Sequence, residues 1–156
     1  MIDIYFKCNE NAKHPVKAHE TDAGFDLYST EEIMLYPGKQ EKFDTGVAVQ
    51  GRFVDPEDAK KFIIKFQVEG TSGNAAKVGI FPIGGVVDMD YSGIVGVILV
   101  NSTNDPIKIE AGKKIAQLVP EVLPKIRSVH FLKKDEDFEK TERGTAGFGS
   151  TGTALS

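Results

Sequence analysis

The segment that begins at Arg143 concentrates residue types suited to binding a phosphorylated ligand with a ring. The guanidinium of Arg143 matches phosphate oxygens, and the hydroxyls of Ser150 and Thr151 add hydrogen-bond donors. Gly149 lets the backbone approach a ligand closely, and the ring of Phe148 can lie on a base. We therefore expect an arm that is ordered by its ligand. The alternative is a glycine-rich tail without function.

A second candidate segment runs from Gly84 to Gly93. The pair Gly84-Gly85 predicts a tight hairpin that presents its backbone to a ligand. Asp88 and Asp90 are two residues apart, so on a strand they would share one face while Tyr91 would point to the other. The alternative is a β-turn in which the aspartates accept backbone N–H bonds.

The third candidate is Asp26, which stands between the apolar residues Phe25 and Leu27. Its carboxylate can hold a magnesium ion through water, because Mg²⁺ prefers oxygen ligands and usually keeps several waters. The alternative is an outward-facing side chain on an alternating strand, without a ligand.

Composition limits the classes of function. A length of 156 residues predicts one domain, and the net charge of −4 disfavours nucleic acid as a partner. Cys8 is the single cysteine, so no internal disulfide can form. The three histidines lack metal-ligand spacing, and no apolar stretch has the length of a membrane span. With no signal-peptide pattern at the N-terminus, we expect a cytoplasmic protein.

Short β-branched and apolar runs separated by turn signals predict an all-β barrel or sandwich. Helical signals are limited to Asp55-Pro56, with Asp55 as N-cap, and to a turn capped by Ser72. Tyr36-Pro37-Gly38-Lys39 predicts a β-turn. The predicted strands comprise Ile2 to Phe6, Phe43 to Val49, Phe62 to Val68, Ile94 to Val100, Ile107 to Ile109, Ile115 to Val119 and Val129 to Leu132.

Taken together, five ordered segments resemble the motifs of the trimeric dUTPase (deoxyuridine triphosphatase) family. They read DAGFDLYS from Asp22, EGTSGNAAK from Glu69, GGVVDMDYSG from Gly84, AGKKIAQLVP from Ala111 and RGTAGFGSTG from Arg143. The resemblance spans nearly the whole chain. It implies a jelly-roll-like β-barrel core (1–140) and a C-terminal arm (141–156) that crosses to a neighbouring subunit.

The resemblance also implies an activity and a set of roles. The family hydrolyses dUTP to dUMP and pyrophosphate with Mg²⁺, which limits uracil in DNA and supplies dUMP for thymidylate synthesis, and three subunits share each site. Asp88 would activate the attacking water, Tyr91 would pack under the deoxyribose, and Asp26 would hold Mg²⁺ through water. The remaining binding residues would be Gly84, Gly85, Val86 and Val87 for uracil, Ser72, Gly73 and Gln117 for the phosphate chain, Arg143, Gly149, Ser150 and Thr151 for the γ-phosphate, and Phe148 over the base.

The chain departs from the family pattern at two arginines. Thr71 and Ser92 stand where arginines are usual, so two positive charges are missing, and Lys77 is a possible substitute for the first. The region from Gly51 to Glu69 is elaborated, which leaves a regulatory protein partner conceivable. Two other functions stay open: a dCTP deaminase, which shares the fold, and a binding module that responds to dUTP without rapid turnover.

Overall fold

The computed structural model describes residues 1–133 and 141, and within them β-strands predominate. The chain divides into two compact units, 1–125 and 126–156, and the predicted boundary between residues 140 and 141 stays a prediction. The strands are β1 (Ile2–Cys8), β2 (Phe25–Tyr28), β3 (Ile33–Leu35), β4 (Gln40–Asp44), β5 (Val47–Phe53), β6 (Phe62–Glu69), β7 (Ile80–Ile83), β8 (Val86–Val87), β9 (Gly96–Asn101), β10 (Ile107–Ile109) and β11 (Lys114–Pro124).

All strand pairs are antiparallel and form four sheets in the first unit. The largest has the order β2-β11-β6-β8, the next has β4-β9-β7, and β1-β5 and β10-β3 form two-stranded sheets. One buried apolar cluster joins residues from all four sheets, including Leu27, Val49, Phe66, Leu99 and Ile109. The prediction of an all-β, barrel-like fold is confirmed.

Local signals in the sequence explain several connections. The turn Tyr36–Lys39 forms as predicted: the Lys39 N–H donates to the Tyr36 carbonyl at 3.0 Å, and Gly38 takes a φ of +65°. The helix α1 (Pro56–Lys61) begins after Asp55, whose carboxylate accepts a hydrogen bond from the Glu57 N–H at 2.9 Å. Helix α1 buries none of its residues, so it is a surface addition between β5 and β6.

Two strand predictions need correction. The run from Phe43 to Val49 is split between β4 and β5, because the chain turns at Gly46, whose φ is +66°. The stretch from Val129 to Leu132 is not a strand. Val129 and Phe131, which would share one face, are 67% and 93% exposed, and His130 and Leu132 on the other face are exposed as well, so neither face of this stretch is buried as a strand face must be.

The short helical turn after Ser72 also differs from its prediction. It is a π-helical turn (Asn74–Val78) preceded by Gly73, and Ser72 does not cap it. The Thr71 hydroxyl oxygen instead accepts a hydrogen bond from the Asn74 N–H at 3.3 Å. The turn ends at Gly79, which has a φ of +75°.

Candidate functional site

Asp88 lies at the start of a turn that follows β8. The Tyr91 N–H donates to the Asp88 carbonyl at 3.1 Å, and Met89 and Asp90 form the corner. The expectation that Asp88 and Asp90 share one face of a strand is therefore wrong, because the strand ends at Val87. The Asp88 side chain is exposed, so its carboxylate is available to a water or a ligand.

The ring of Tyr91 is fixed against the backbone that follows it. Its hydroxyl donates to the Ile94 carbonyl at 3.0 Å, and the residue is 49% exposed. A Cβ added at Gly93 would lie 2.5 Å from the Tyr91 hydroxyl oxygen, far inside van der Waals contact. Glycine at position 93 therefore makes room for the ring.

A cavity of about 240 Å³ opens beside these residues, and it is called the base cavity below. Its lining residues are Lys42, Gly85, Val86, Val87, Asp88, Tyr91, Ile94, Val95, Gly96 and Ile98. Of the predicted residues, the structure therefore brings together Gly85, Val86, Val87, Asp88 and Tyr91.

Sequence reasoning missed Lys42 and Gly96 in this cavity. Lys42 is on β4 and Gly96 on the neighbouring strand β9, and a Cβ at Gly96 would lie 2.5 Å from the Lys42 Cε. Lys42 is the one cation among the described residues that line the base cavity. No local pattern marks either residue, because they meet only through the register of two strands.

Gly84 and Gly85 form a corner between two sheets. The expected hairpin is wrong: β7 before the corner pairs with β9, whereas β8 after it pairs with β6. The two glycines have φ values of +70° and +101°. The Gly85 carbonyl accepts from the Val68 N–H at 2.8 Å, and a Cβ on Gly85 would lie 2.8 Å from the Val68 carbonyl oxygen.

A second cavity, called the phosphate cavity below, adjoins the corner and has a volume of about 510 Å³. Its lining residues are Gln67, Val68, Glu69, Gly70, Thr71, Ser72, Ala75, Phe81, Pro82, Ile83 and Gly84. None of these described residues is a lysine or arginine, and the exposed Lys77 is not among them. A polyanion here would need positive charge from elsewhere.

Gln117 connects the phosphate cavity to Asp26. On the central strand β11, Gln117 is opposite Asp26 on one side and Glu69 on the other. Side chains of directly opposed residues point to the same face of a sheet. The Gln117 amide donates to the Gly70 carbonyl at 3.3 Å, and Lys114 Nζ lies 3.1 Å from Asp26 Oδ2.

The other predicted residues are either exposed or outside the described part. Ser72 and Gly73 are exposed at the start of the π-helical turn. The predicted arm residues Arg143, Phe148, Gly149, Ser150 and Thr151 lie outside the described residues. Over residues 1–133 and 141, no three His, Cys, Asp or Glu side chains form a group that could hold a metal ion. No helix in that range is long and apolar enough to cross a membrane.

Comparison with known proteins gives concordant matches. A family model described as dUTPase matches residues 10–152. A deoxyuridine 5'-triphosphate nucleotidohydrolase of Clostridium novyi (strain NT) is 41% identical over 150 residues, covering 94% of this chain and 95% of that protein.

Two solved phage structures are also similar. The dUTPase of Staphylococcus bacteriophage 80alpha with dUPNHPP has a TM-score of 0.75 and 28% identity, covering 97% of this chain and 99% of that one. It is described with phage dUTPases that control transfer of virulence genes by a proto-oncogenic G protein-like mechanism. A mutant dUTPase from phage phi11 of S. aureus, reported with a structural Mg(II) ion, has a TM-score of 0.68 and 25% identity, covering 88% and 99%.

Proposed function

This chain belongs to the dUTPase family and is a dUTP diphosphatase, and we propose that Asp88 activates the water that attacks the α-phosphate of dUTP. One observation carries the proposal: the Asp88 carboxylate is exposed and lines a cavity together with Gly85 and Tyr91. A carboxylate in hydrogen-bond reach of a water can orient it and accept its proton.

The proposed reaction is a hydrolysis in which water displaces pyrophosphate from the α-phosphorus of dUTP. The water oxygen forms a bond to the α-phosphorus, the bond between that phosphorus and the bridging oxygen to the β-phosphate breaks, and pyrophosphate leaves. The water proton passes to Asp88. Such chemistry asks the protein mainly for positioning and charge neutralisation.

The base cavity has the features needed for a deoxyuridine. Backbone groups from Gly84 to Val87 would bind the uracil edge, since Gly85, Val86 and Val87 line the cavity and Gly84 directly precedes them. The Tyr91 ring, held by its bond to the Ile94 carbonyl, would lie under the deoxyribose and leave no space for a 2′-hydroxyl. Selection of deoxyuridine would thus depend on the corner and on a fixed ring.

Magnesium would be held by Asp26 through water, together with phosphate oxygens. The donor set fits, because a partly exposed carboxylate (20%) plus a triphosphate suits an ion that keeps several waters. When bound, Mg²⁺ would neutralise charge on the triphosphate. The ammonium of Lys114 contacts the same carboxylate and would have to share it.

The triphosphate would extend from the base cavity towards the phosphate cavity. Ser72, Gly73 and Gln117 would contact the phosphate chain there. The described residues that line the phosphate cavity supply no cation, which supports a contribution from an arm. The arm residues in this proposal are Arg143, Gly149, Ser150 and Thr151 at the γ-phosphate and Phe148 over the uracil.

We also propose that the active protein is a homotrimer whose sites are shared between subunits. The family resemblance supports this assembly, as does a phosphate cavity that needs cations from elsewhere. A cytoplasmic location belongs to the same proposal, in line with the unpaired Cys8.

The deciding experiment measures pyrophosphate release from dUTP with Mg²⁺, beside dCTP, dTTP and UTP. We expect turnover of dUTP alone, and a loss of about 10²- to 10⁴-fold in kcat for Asp88→Asn. Asp90→Asn is the matched control, because Asp90 is also exposed in the same turn but does not line the base cavity. Equal losses in both variants would contradict the role of Asp88.

A signalling function is the second candidate. The replacement of arginine by Thr71 and the likeness to the phage 80alpha dUTPase favour it. In that case dUTP would bind tightly while pyrophosphate release stayed negligible. Ammonia release from dCTP would instead identify a deaminase.

A further inference from the structure

The side chain of Asn74 ties the π-helical turn to strand β11. Its amide nitrogen Nδ2 lies 3.2 Å from the carbonyl oxygen of Lys114 and 3.3 Å from that of Ile115, and donates to both. These bonds join segments that are 40 and 41 residues apart in the chain. Asn74 is half-buried and its bond to the Ile115 carbonyl is partly buried, so water competes less for that carbonyl than on an open surface.

Thr71 supports the same turn from its other side. Its hydroxyl oxygen accepts from the Asn74 N–H at 3.3 Å, and its carbonyl accepts from the Ala75 N–H at 3.1 Å. A threonine at position 71 therefore has a structural role where the family pattern has a charge. The turn between Thr71 and Asn74 is held by hydrogen bonds from both ends.

The anchored strand carries Gln117, which is proposed to contact the phosphate chain together with Ser72. Lys114, one acceptor of the Asn74 amide, pairs with Asp26, and Gln117 follows two residues after Ile115. One amide group thus fixes the spacing between the turn with Ser72 and the strand with Gln117. A triphosphate that contacts both Ser72 and Gln117 would depend on that spacing.

We propose that Asn74 is a positioning residue that preorganises the phosphate cavity, in compensation for the missing arginine. The inference rests on the proposed function, since it assumes that Ser72 and Gln117 contact the phosphate chain. A preorganised site loses less conformational freedom when its ligand binds. This smaller entropy cost would offset part of the affinity lost with the positive charge of the arginine. Asn74 acts through Ser72 and touches no reacting atom.

The proposal predicts an effect that depends on the number of phosphates. Asn74→Ala should weaken binding of the non-hydrolysable analogue dUpNHpp about tenfold, because the turn with Ser72 would then have to be ordered when the ligand binds. Binding of dUMP should change by less than about twofold, because dUMP lacks the β- and γ-phosphates. KM for dUTP should rise about tenfold while kcat changes by less than about threefold.

The experiment is calorimetric titration of both ligands with Mg²⁺ into the full chain. Asn104→Ala is the matched control, because Asn104 is exposed in a loop outside both cavities. Thr71→Val is the second variant: it removes one acceptor while keeping the side-chain shape, and should show the same selectivity with a smaller loss. Thermal unfolding of each variant shows whether it is folded.

The outcomes separate this inference from the proposed function. A selective loss of dUpNHpp binding in Asn74→Ala supports it, and non-additivity with Ser72→Ala supports action through that turn. Equal losses of affinity for dUpNHpp and dUMP, or no loss for either, overturn the inference. If Asn74→Ala does not fold, the same comparison made with Thr71→Val decides. Failure of the wild type to release pyrophosphate from dUTP refutes the proposed function instead, whatever the binding ratio.

Discussion

Asp26 and Lys114 form an ion pair across two neighbouring strands, with 3.1 Å between Oδ2 and Nζ. The strand register shifts between Lys114 and Ala116, so Lys114 is opposite Tyr28 while Gln117 is opposite Asp26. The irregularity lets the ammonium of Lys114 reach a carboxylate that Gln117 already faces. The carboxylate proposed to hold Mg²⁺ through water is therefore already paired with an ammonium group before any metal ion binds.

The first prediction concerns this carboxylate. Asp26→Asn should raise the Mg²⁺ concentration for half-maximal turnover about tenfold, because an amide oxygen attracts the hydrated ion less than a carboxylate does. Rates measured across a MgCl₂ series at saturating dUTP give the value. Asp3→Asn, an exposed change on β1, is the control. An unchanged Mg²⁺ dependence in Asp26→Asn would remove Asp26 from the metal site.

The second prediction concerns sugar selectivity. Gly93→Ala should displace the Tyr91 ring, since the new Cβ would fall 2.5 Å from its hydroxyl oxygen. With the ring displaced, a 2′-hydroxyl can be accommodated, and the ratio of kcat/KM for dUTP over UTP should drop about tenfold. Ser92→Ala adds no volume at the adjacent position and should keep the ratio. A Gly93→Ala protein with wild-type selectivity would show that Tyr91 does not exclude the hydroxyl.

The third prediction concerns the arm. Deleting residues 143–156 should leave a folded core, because the core cluster lies within residues 1–125. Turnover of dUTP should become very low, since the proposed contacts of Arg143 with the γ-phosphate and of Phe148 with the uracil would be lost and water would enter the site. Circular dichroism checks the fold and pyrophosphate release checks the rate. Full activity in the truncated protein would refute the arm's role.

The fourth prediction concerns helix α1. Replacing Asp55–Lys61 by a short turn should keep kcat within about twofold, because the helix buries none of its residues. Stability should fall only slightly, since the ion pair between Lys60 and Glu57 is exposed and such pairs contribute below about 1 kcal/mol. Kinetics and thermal unfolding of the replaced protein give both values. A large loss of kcat in a folded variant would tie α1 to the site.

Features with a local physical cause could be predicted from the sequence. Asp55 caps α1 because its carboxylate reaches an N–H two residues away, and Pro37-Gly38 turns the chain because each residue favours its φ. The alternation of apolar and polar residues from Ile64 to Glu69 in β6 likewise marks one buried face. Each of these signals depends on residues only a few positions apart, so it can be recognised from the sequence alone.

Features that depend on strand register could not be predicted. Lys42 lies over Gly96 only because β4 and β9 pair as they do, and Asn74 meets β11 across 40 residues of chain. The segment Gly84-Gly85 is predicted as a hairpin because a pair of glycines is equally suited to a hairpin turn and to a corner between two sheets. Which sheet the next strand joins depends on the core, where Val87 packs at 8% exposure.

The corner at Gly85 has a consequence for natural variation of this enzyme. A side chain at Gly85 would meet the Val68 carbonyl at 2.8 Å in a backbone conformation with φ at +101°, so no single substitution fits there. The adjacent Val86 is 61% exposed and free of that constraint. In a comprehensive mutational scan for fitness, position 85 should tolerate only glycine, whereas position 86 should accept many residues. Among relatives of this enzyme, sequence differences at the corner are therefore expected at position 86, with glycine retained at position 85.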